Sequence, residues 1–111
     1  MKTITLFSGF LLMAFLSLGT LAAPSNLDQA IQHAEAAMKS EKGKSLAEHA
    51  AEAKKYANAS KSDSDKVINR KHLDEGIQCL SDAIKEGQND DVEAAQKSAK
   101  DAVEHFKQAA K

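Results

Sequence analysis

The two halves of this chain carry a similar succession of residues, and this repeat limits the folds that the chain can adopt. The segment 27–33 reads LDQAIQH, and the segment 73–79 reads LDEGIQC. A second similar pair follows, HAAEA at 49–53 and SAKDA at 98–102. Apolar residues in these regions recur at steps of three and four, which is the spacing of one helix face. Since a single helix pair cannot bury both of its apolar faces, the repeat predicts a duplicated helical hairpin.

The repeat also aligns residues that can bind metal ions. His33 is aligned with Cys79, and Tyr56 is aligned with His105. Imidazole and thiolate groups are both ligands of transition metals. This interchange of candidate ligands makes metal binding the first function to consider.

Helix-forming residues occupy almost all of the chain after Pro24. Ala, Lys, Glu and Gln are abundant, and no further proline follows. Four helices are predicted, at about 26–40, 45–60, 66–86 and 90–110. Their short connections favour an all-α fold, an antiparallel up-down-up-down four-helix bundle. The alternative is an extended helical hairpin or a coiled-coil dimer, because the apolar stripes are narrow and rich in alanine.

Capping signals mark the predicted helix ends. Gly43 is expected to end the first helix in a left-handed conformation. Three pairs fit the spacing of a capping box at helix starts: Asn26 with Gln29, Ser45 with Glu48, and Asp90 with Glu93.

The first 22 residues have the pattern of a secretory signal peptide. Lys2 provides a basic start, 4–18 is almost entirely apolar, and small residues precede a predicted cleavage after Ala22. The alternative is a retained membrane anchor, but serine, glycine and threonine dilute the run below the apolar character of a spanning helix. The mature protein is then a single domain, 23–111, exported to the periplasm.

Charge and motifs exclude several classes of function. Of the 15 Lys and Arg residues 14 remain once Lys2 is removed, against 16 Asp and Glu, which gives a net charge of −2. Nucleic-acid binding needs a basic surface, so we expect no nucleic-acid partner, and no membrane partner after cleavage. The chain has no phosphate loop, zinc-protease helix motif, paired-cysteine motif or nucleophile elbow, so we expect no enzymatic activity.

Cys79 is the only cysteine in the chain. One cysteine cannot form an internal disulfide, so the fold depends on helix packing. The thiol has three alternative roles: a buried small apolar group, an intermolecular disulfide, or a soft metal ligand. A monomer is favoured, and a thiol-linked dimer is the alternative.

Each predicted helix carries one histidine: His33, His49, His72 and His105. Glu75 follows His72 by three residues, and Asp101 precedes His105 by four, so each carboxylate lies on the same helix face as its histidine. Antiparallel packing would bring His72 and His105 to the same end of the bundle. Cys79 lies two turns from His72, about 10 Å along the helix, too far to share one ion directly. The candidate metal ligands are therefore the four histidines, Glu75, Asp101 and Cys79.

The chain resembles the small metal-binding protein family of bacterial periplasms. The similarity is clearest at 72–85 and 99–106, and weaker at 27–39 and 48–50. The resemblance implies a four-helix bundle with a histidine-rich surface that buffers several divalent ions, copper above all, with nickel and zinc as alternatives. This chain has fewer histidines than the family pattern, because Cys79, Ser98 and Tyr56 stand where the pattern would have histidine. We therefore expect one or two metal sites.

Two functions from different classes follow. The first is an exported, non-enzymatic protein that buffers or sequesters a divalent ion, copper in preference, through histidine and carboxylate side chains. The second is an exported helical scaffold that binds protein partners, or associates with itself, without a metal. The narrow alanine stripe and the unpaired Cys79 motivate this second function.

Overall fold

The computed structural model describes residues 24–63 and 68–110, and within them the chain forms four helices and no strand. We number these helices in chain order: α1 Asn26–Lys39, α2 Gly43–Ser60, α3 Arg70–Gln88 and α4 Val92–Ala109. The all-α prediction is confirmed. The predicted signal peptide, 1–22, lies outside the described residues, as does the predicted start of the third helix near residue 66.

Side-chain caps begin three of the helices. Ser25 Oγ accepts a hydrogen bond from the Asp28 amide at 3.1 Å, and the Asp28 carboxylate accepts one from the Ser25 amide at 3.4 Å. Asn69 Oδ1 accepts from the His72 amide at 3.2 Å, and Asp91 caps α4 in the same way. These bonds satisfy amide groups that lack a partner within the helix.

The capping pairs predicted from the sequence were wrong by one residue or more. The caps of α1 and α4 are the neighbours of the predicted Asn26 and Asp90, and Lys42 precedes α2 without a side-chain cap. Gly43 is the first residue of α2, and its φ is not positive. Asp90 instead has φ 65°, a left-handed conformation that Asp tolerates better than most residues.

Each helix packs mainly against two neighbours. The pairs in extensive contact are α1 with α2, α2 with α3, α3 with α4, and α4 with α1. Asn26 at the start of α1 contacts Asp63 just after α2, and the Asn69 amide before α3 donates to the carbonyl of Ala109 at 3.0 Å. These contacts between helix ends are consistent with the predicted antiparallel order.

Alanine makes up most of the buried core. Eleven of the 17 clustered core residues are alanines, and the others are leucines, Val103 and Phe106. Phe106 is the largest fully buried side chain among the described residues. Small side chains let helices approach closely but remove little apolar area from water, so the few large side chains contribute a large share of the hydrophobic stabilisation.

Two glycines allow α2 and α3 to come into close contact at one end of the bundle. A Cβ placed on Gly87 would lie 2.7 Å from the carbonyl oxygen of Gly43. The space that a side chain would need is thus occupied by the backbone of the neighbouring helix. In the described ranges no helix combines the length and the apolar composition needed to cross a membrane.

Candidate metal centre

Two histidines and a glutamate meet at the end of the bundle where α3 begins. His72 and Glu75 lie in the first two turns of α3, and His105 lies near the end of α4. The Asn69 cap fixes the first turn of α3, so His72 and Glu75, three residues apart, share a face. The hydrogen bond from Asn69 to Ala109 ties this turn to the end of α4. Both helices therefore present their ligands at the same level.

The donor atoms of the three side chains form a nearly equilateral triangle. Nδ1 of His72 lies 3.3 Å from Nδ1 of His105, and each of these nitrogens lies 3.4 Å from Oε1 of Glu75. The imidazole ring centroids are 5.5 Å apart, and the rings are inclined by 32°. The Nδ1–H of one ring can donate to Nδ1 of the other, so the two imidazoles are hydrogen-bonded to each other in the absence of an ion.

The triangle has dimensions that a single metal ion can bridge. An ion about 2.0–2.1 Å from each of three donors in tetrahedral coordination separates those donors by about 3.3–3.4 Å. The observed separations fall in this range. Two imidazoles and one carboxylate also form a donor set that zinc, copper and nickel accept. The side chains fit a divalent ion and leave its remaining coordination positions open.

The site is accessible from solvent. The side chain of Glu75 is 40% exposed and those of His72 and His105 are each 32% exposed. Lys71 Nζ lies 3.7 Å from the second oxygen of Glu75, but the Lys71 side chain is 78% exposed. Because solvent screens so exposed an ammonium group, it competes weakly with an ion for the carboxylate. An ion can therefore enter and leave without a rearrangement of the fold.

Asp101 and Cys79, also predicted as ligands, lie outside this triangle. The Asp101 carboxylate is 4.0 Å from Lys97 one turn away. Cys79 is partly buried against the core. Burial raises the pKa of the Cys79 thiol, and the negative charge of Asp101 raises it further. A metal ion binds the thiolate, so this environment disfavours ligation by sulfur.

The two remaining predicted ligands form a separate group on α1 and α2. The rings of His33 and His49 have centroids 6.4 Å apart, and His33 stacks on Tyr56 at 5.4 Å with the rings nearly parallel. Burial lowers the pKa of His33, and the charge of Glu52 opposes this shift. Within the described residues, only the triangle brings three histidine, cysteine or carboxylate donors within reach of one ion. Metal ligation remains a prediction for the other four candidates, His33, His49, Asp101 and Cys79.

All three residues of the triangle were predicted from the sequence, but the residues that support them were not. Asn69 was missed, although its position three residues before His72 is the spacing of a helix cap. The backbone bond from Asn69 to Ala109 has no sequence signal, because it depends on how α3 and α4 pack.

The fold and the site together define a class: a small helical protein with a candidate centre for a divalent metal ion. More specifically, the chain belongs to the small metal-binding protein family, whose family model matches residues 1–109. This confirms the family resemblance seen in the sequence. Searches of curated proteins and of solved structures returned no match.

Proposed function

We propose that the protein binds a divalent metal ion through His72, Glu75 and His105, and that it buffers or sequesters this ion after export without catalysing a reaction. The observation that carries the proposal is the convergence of three donor atoms from two helices, 3.3–3.4 Å apart, at a solvent-accessible end of the bundle. Membership of the small metal-binding protein family supports it.

Copper is the ion that we expect to bind most tightly. Sites of nitrogen and oxygen ligands generally bind divalent ions in an order that peaks at Cu²⁺, with Ni²⁺ and Zn²⁺ weaker. The donor separations match tetrahedral zinc more closely than the square-planar geometry of Cu²⁺, which needs adjacent donors about 2.8–2.9 Å apart at bonds of about 2.0 Å. The affinity order outweighs this difference, since partly exposed side chains can move by a few tenths of an ångström.

Buffering suits the exposure and the composition of the site. Its three side chains are each about one-third exposed or more, so the ion can exchange with solution. Among the residues that the structure describes, three protein donors surround the ion position, which leaves coordination places for water or for a small ligand. We propose export to the periplasm on the basis of the signal peptide predicted at 1–22.

The test is a calorimetric titration of protein purified from the periplasm of an expressing bacterium. Its N-terminal residue, expected to be Ala23, is determined first. Cu²⁺, Ni²⁺ and Zn²⁺ are titrated at neutral pH into the parent protein and into the double variant His72→Gln/His105→Gln. The matched control is His33→Gln/His49→Gln, which removes the same number of imidazoles from the other helix pair.

We expect the parent to have one tight site, with a higher affinity for Cu²⁺ than for Ni²⁺ and Zn²⁺. This site should be lost in the His72/His105 variant and retained in the control. Equal binding by the parent and the His72/His105 variant would reject the site. No binding by the folded parent would reject the metal function and leave the helical scaffold as the remaining hypothesis.

A further inference from the structure

We propose that Gly76 and Phe106 are positioning residues of the metal centre: the Phe106 ring, packed directly on Gly76, sets the separation of α3 and α4 at which the donor atoms converge. This inference rests on the proposed function. It concerns two residues whose side chains carry neither a charge nor an atom that could bind a metal ion.

The ring of Phe106 fills the space where residue 76 would carry a side chain. A Cβ built on Gly76 would lie 2.5 Å from Cε1 and 2.7 Å from Cδ1 of the ring. Phe106 is completely buried, so the ring cannot move into solvent to make room. Only glycine at position 76 allows α4 to lie this close to α3 with a phenylalanine between them.

The pair is joined through the backbone to the ligands on both helices. Glu75 precedes Gly76 on α3, and His105 precedes Phe106 on α4. His72 lies four residues before Gly76, one turn away on the same helix. A helix moves as a unit over one turn, so a displacement at the Gly76–Phe106 contact changes the distance from His105 to the two ligands on α3.

The other hairpin provides an internal comparison. The predicted repeat aligns Gly76 and Phe106 with Ala30 and Ala57, and both alanines are completely buried. The three positions aligned with the ligands hold residues of different chemistry: Asn26, Gln29 and Tyr56. The glycine–phenylalanine contact and the triangle of ligands thus occur in the same hairpin, and the aligned positions of the first hairpin hold neither.

A methyl group at position 76 would push the ring and α4 away from α3. The ring atom 2.5 Å from the added Cβ would have to move to at least 3.4 Å, a displacement of 0.9 Å. This exceeds the few tenths of an ångström that side-chain rotation can absorb, and a site must be held to within about 0.5 Å of its working geometry. The substitution should therefore weaken metal binding even though every ligand is retained.

The experiment compares Gly76→Ala with Gly87→Ala, a matched control on the same helix. Gly87 is also buried against a neighbouring helix, but its contact is the backbone of Gly43 at the opposite end of α3. Dissociation constants for Cu²⁺ are measured by competition with a chromophoric chelator, at a temperature where circular dichroism shows each variant to be folded. The absorption spectrum of bound Cu²⁺ is recorded as well.

We expect Gly76→Ala to weaken Cu²⁺ binding by about 10- to 100-fold, the range seen when the supports of metal ligands are removed, and to shift the Cu²⁺ spectrum. Gly87→Ala should lower the melting temperature but leave the Cu²⁺ affinity and the Cu²⁺ spectrum unchanged. The pair Gly76→Ala/Phe106→Leu should recover part of the affinity, because the smaller side chain makes room for the methyl group. Unchanged affinity and spectrum in folded Gly76→Ala would overturn the inference.

If Gly76→Ala does not fold, Phe106→Leu alone decides the question. Loss of the ring lets α4 settle closer to α3, so weaker binding and a shifted spectrum support the inference, and parent-like binding overturns it. A parent whose binding does not depend on His72 and His105 overturns the proposed function and this inference together. Parent binding that depends on both histidines, with no effect of either positioning variant, overturns the inference alone.

Discussion

Replacing Phe106 with alanine should remove most of the stability of this bundle. Phe106 is completely buried and is the largest such side chain described. Truncation of a buried phenylalanine to alanine typically costs about 3–5 kcal/mol, and the cost rises with the volume of the cavity that remains. Gly76 faces the ring and has no side chain with which to fill that cavity. We therefore place the cost in the upper part of the range.

That cost is large compared with what such a core can supply. A single apolar core rarely provides more than about 3–5 kcal/mol in domains of up to about 80 residues, and the helical region, 24–110, is only slightly longer. Eleven of its 17 clustered core residues are alanines, which bury little area each. Phe106→Ala is thus expected to be largely unfolded at room temperature without a bound ion.

The assay is urea unfolding followed by circular dichroism, in the presence of a chelator so that metal binding does not contribute. Phe106→Leu is the control, since it retains a buried branched side chain and should lose less than half as much free energy. Adding Gly76→Ala to Phe106→Ala should restore part of the stability, because the new methyl group enters the vacated space and alanine favours the helix. A cost below about 1.5 kcal/mol for Phe106→Ala would refute the reasoning that this ring dominates the core.

Three further predictions concern the metal centre and the two groups with shifted pKa values. Free Cu²⁺ at 100 times its dissociation constant should stabilise the parent by about 2.7 kcal/mol, which is measured as a higher melting temperature. The substitution His105→Gln should remove this stabilisation, and so should acidification, because protonated imidazole cannot bind a metal. A rise in melting temperature that survives either change would contradict the site. Burial lowers the pKa of His33 in the folded protein below its ordinary value of 6.5, so the unfolded chain takes up a proton first as the pH falls. The free energy of unfolding should therefore be at its full value above about pH 6.5 and decrease as the pH drops below it. His33→Gln should flatten this fall in chemical unfolding at a series of pH values, and an identical pH profile would argue against it. Because the pKa of the Cys79 thiol is raised, we expect the folded protein to be alkylated at pH 8 more slowly than the urea-unfolded chain. The substitution Asp101→Asn should accelerate alkylation of the folded protein. Equal rates in folded and unfolded protein would show that the thiol is unperturbed.

Helix content and one part of the site were predictable because both depend on local spacing. The recurrence of apolar residues at three and four positions predicted four helices, and four are present in the described residues. The interval of three residues placed His72 and Glu75 on one face for the same reason. Prediction was weakest at the helix ends. Ser25 rather than Asn26 caps α1, and neighbouring polar residues compete for that position with little difference in free energy.

Contacts between helices could not be predicted with the same success. Asp101 and Glu75 were both expected beside the two histidines, but only Glu75 lies there. Asp101 is one helical turn from His105, and it lies close enough to Cys79 on α3 for its charge to raise the pKa of that thiol. It therefore lies further along the helix pair than the triangle. Sequence spacing fixes the positions of side chains along one helix, but not the level at which each of them meets the side chains of the neighbouring helix.

The sequence by itself determined that this chain forms helices, that it belongs to the small metal-binding protein family, and that His72 and Glu75 share a helix face. Only the tertiary structure decided that His105 completes the triangle, and that Asp101 and Cys79 do not. The physical reason is that a helix orders its own residues through backbone hydrogen bonds within a few positions, whereas the approach of α4 to α3 depends on which side chains fit between them. Here that fit is the ring of Phe106 against Gly76.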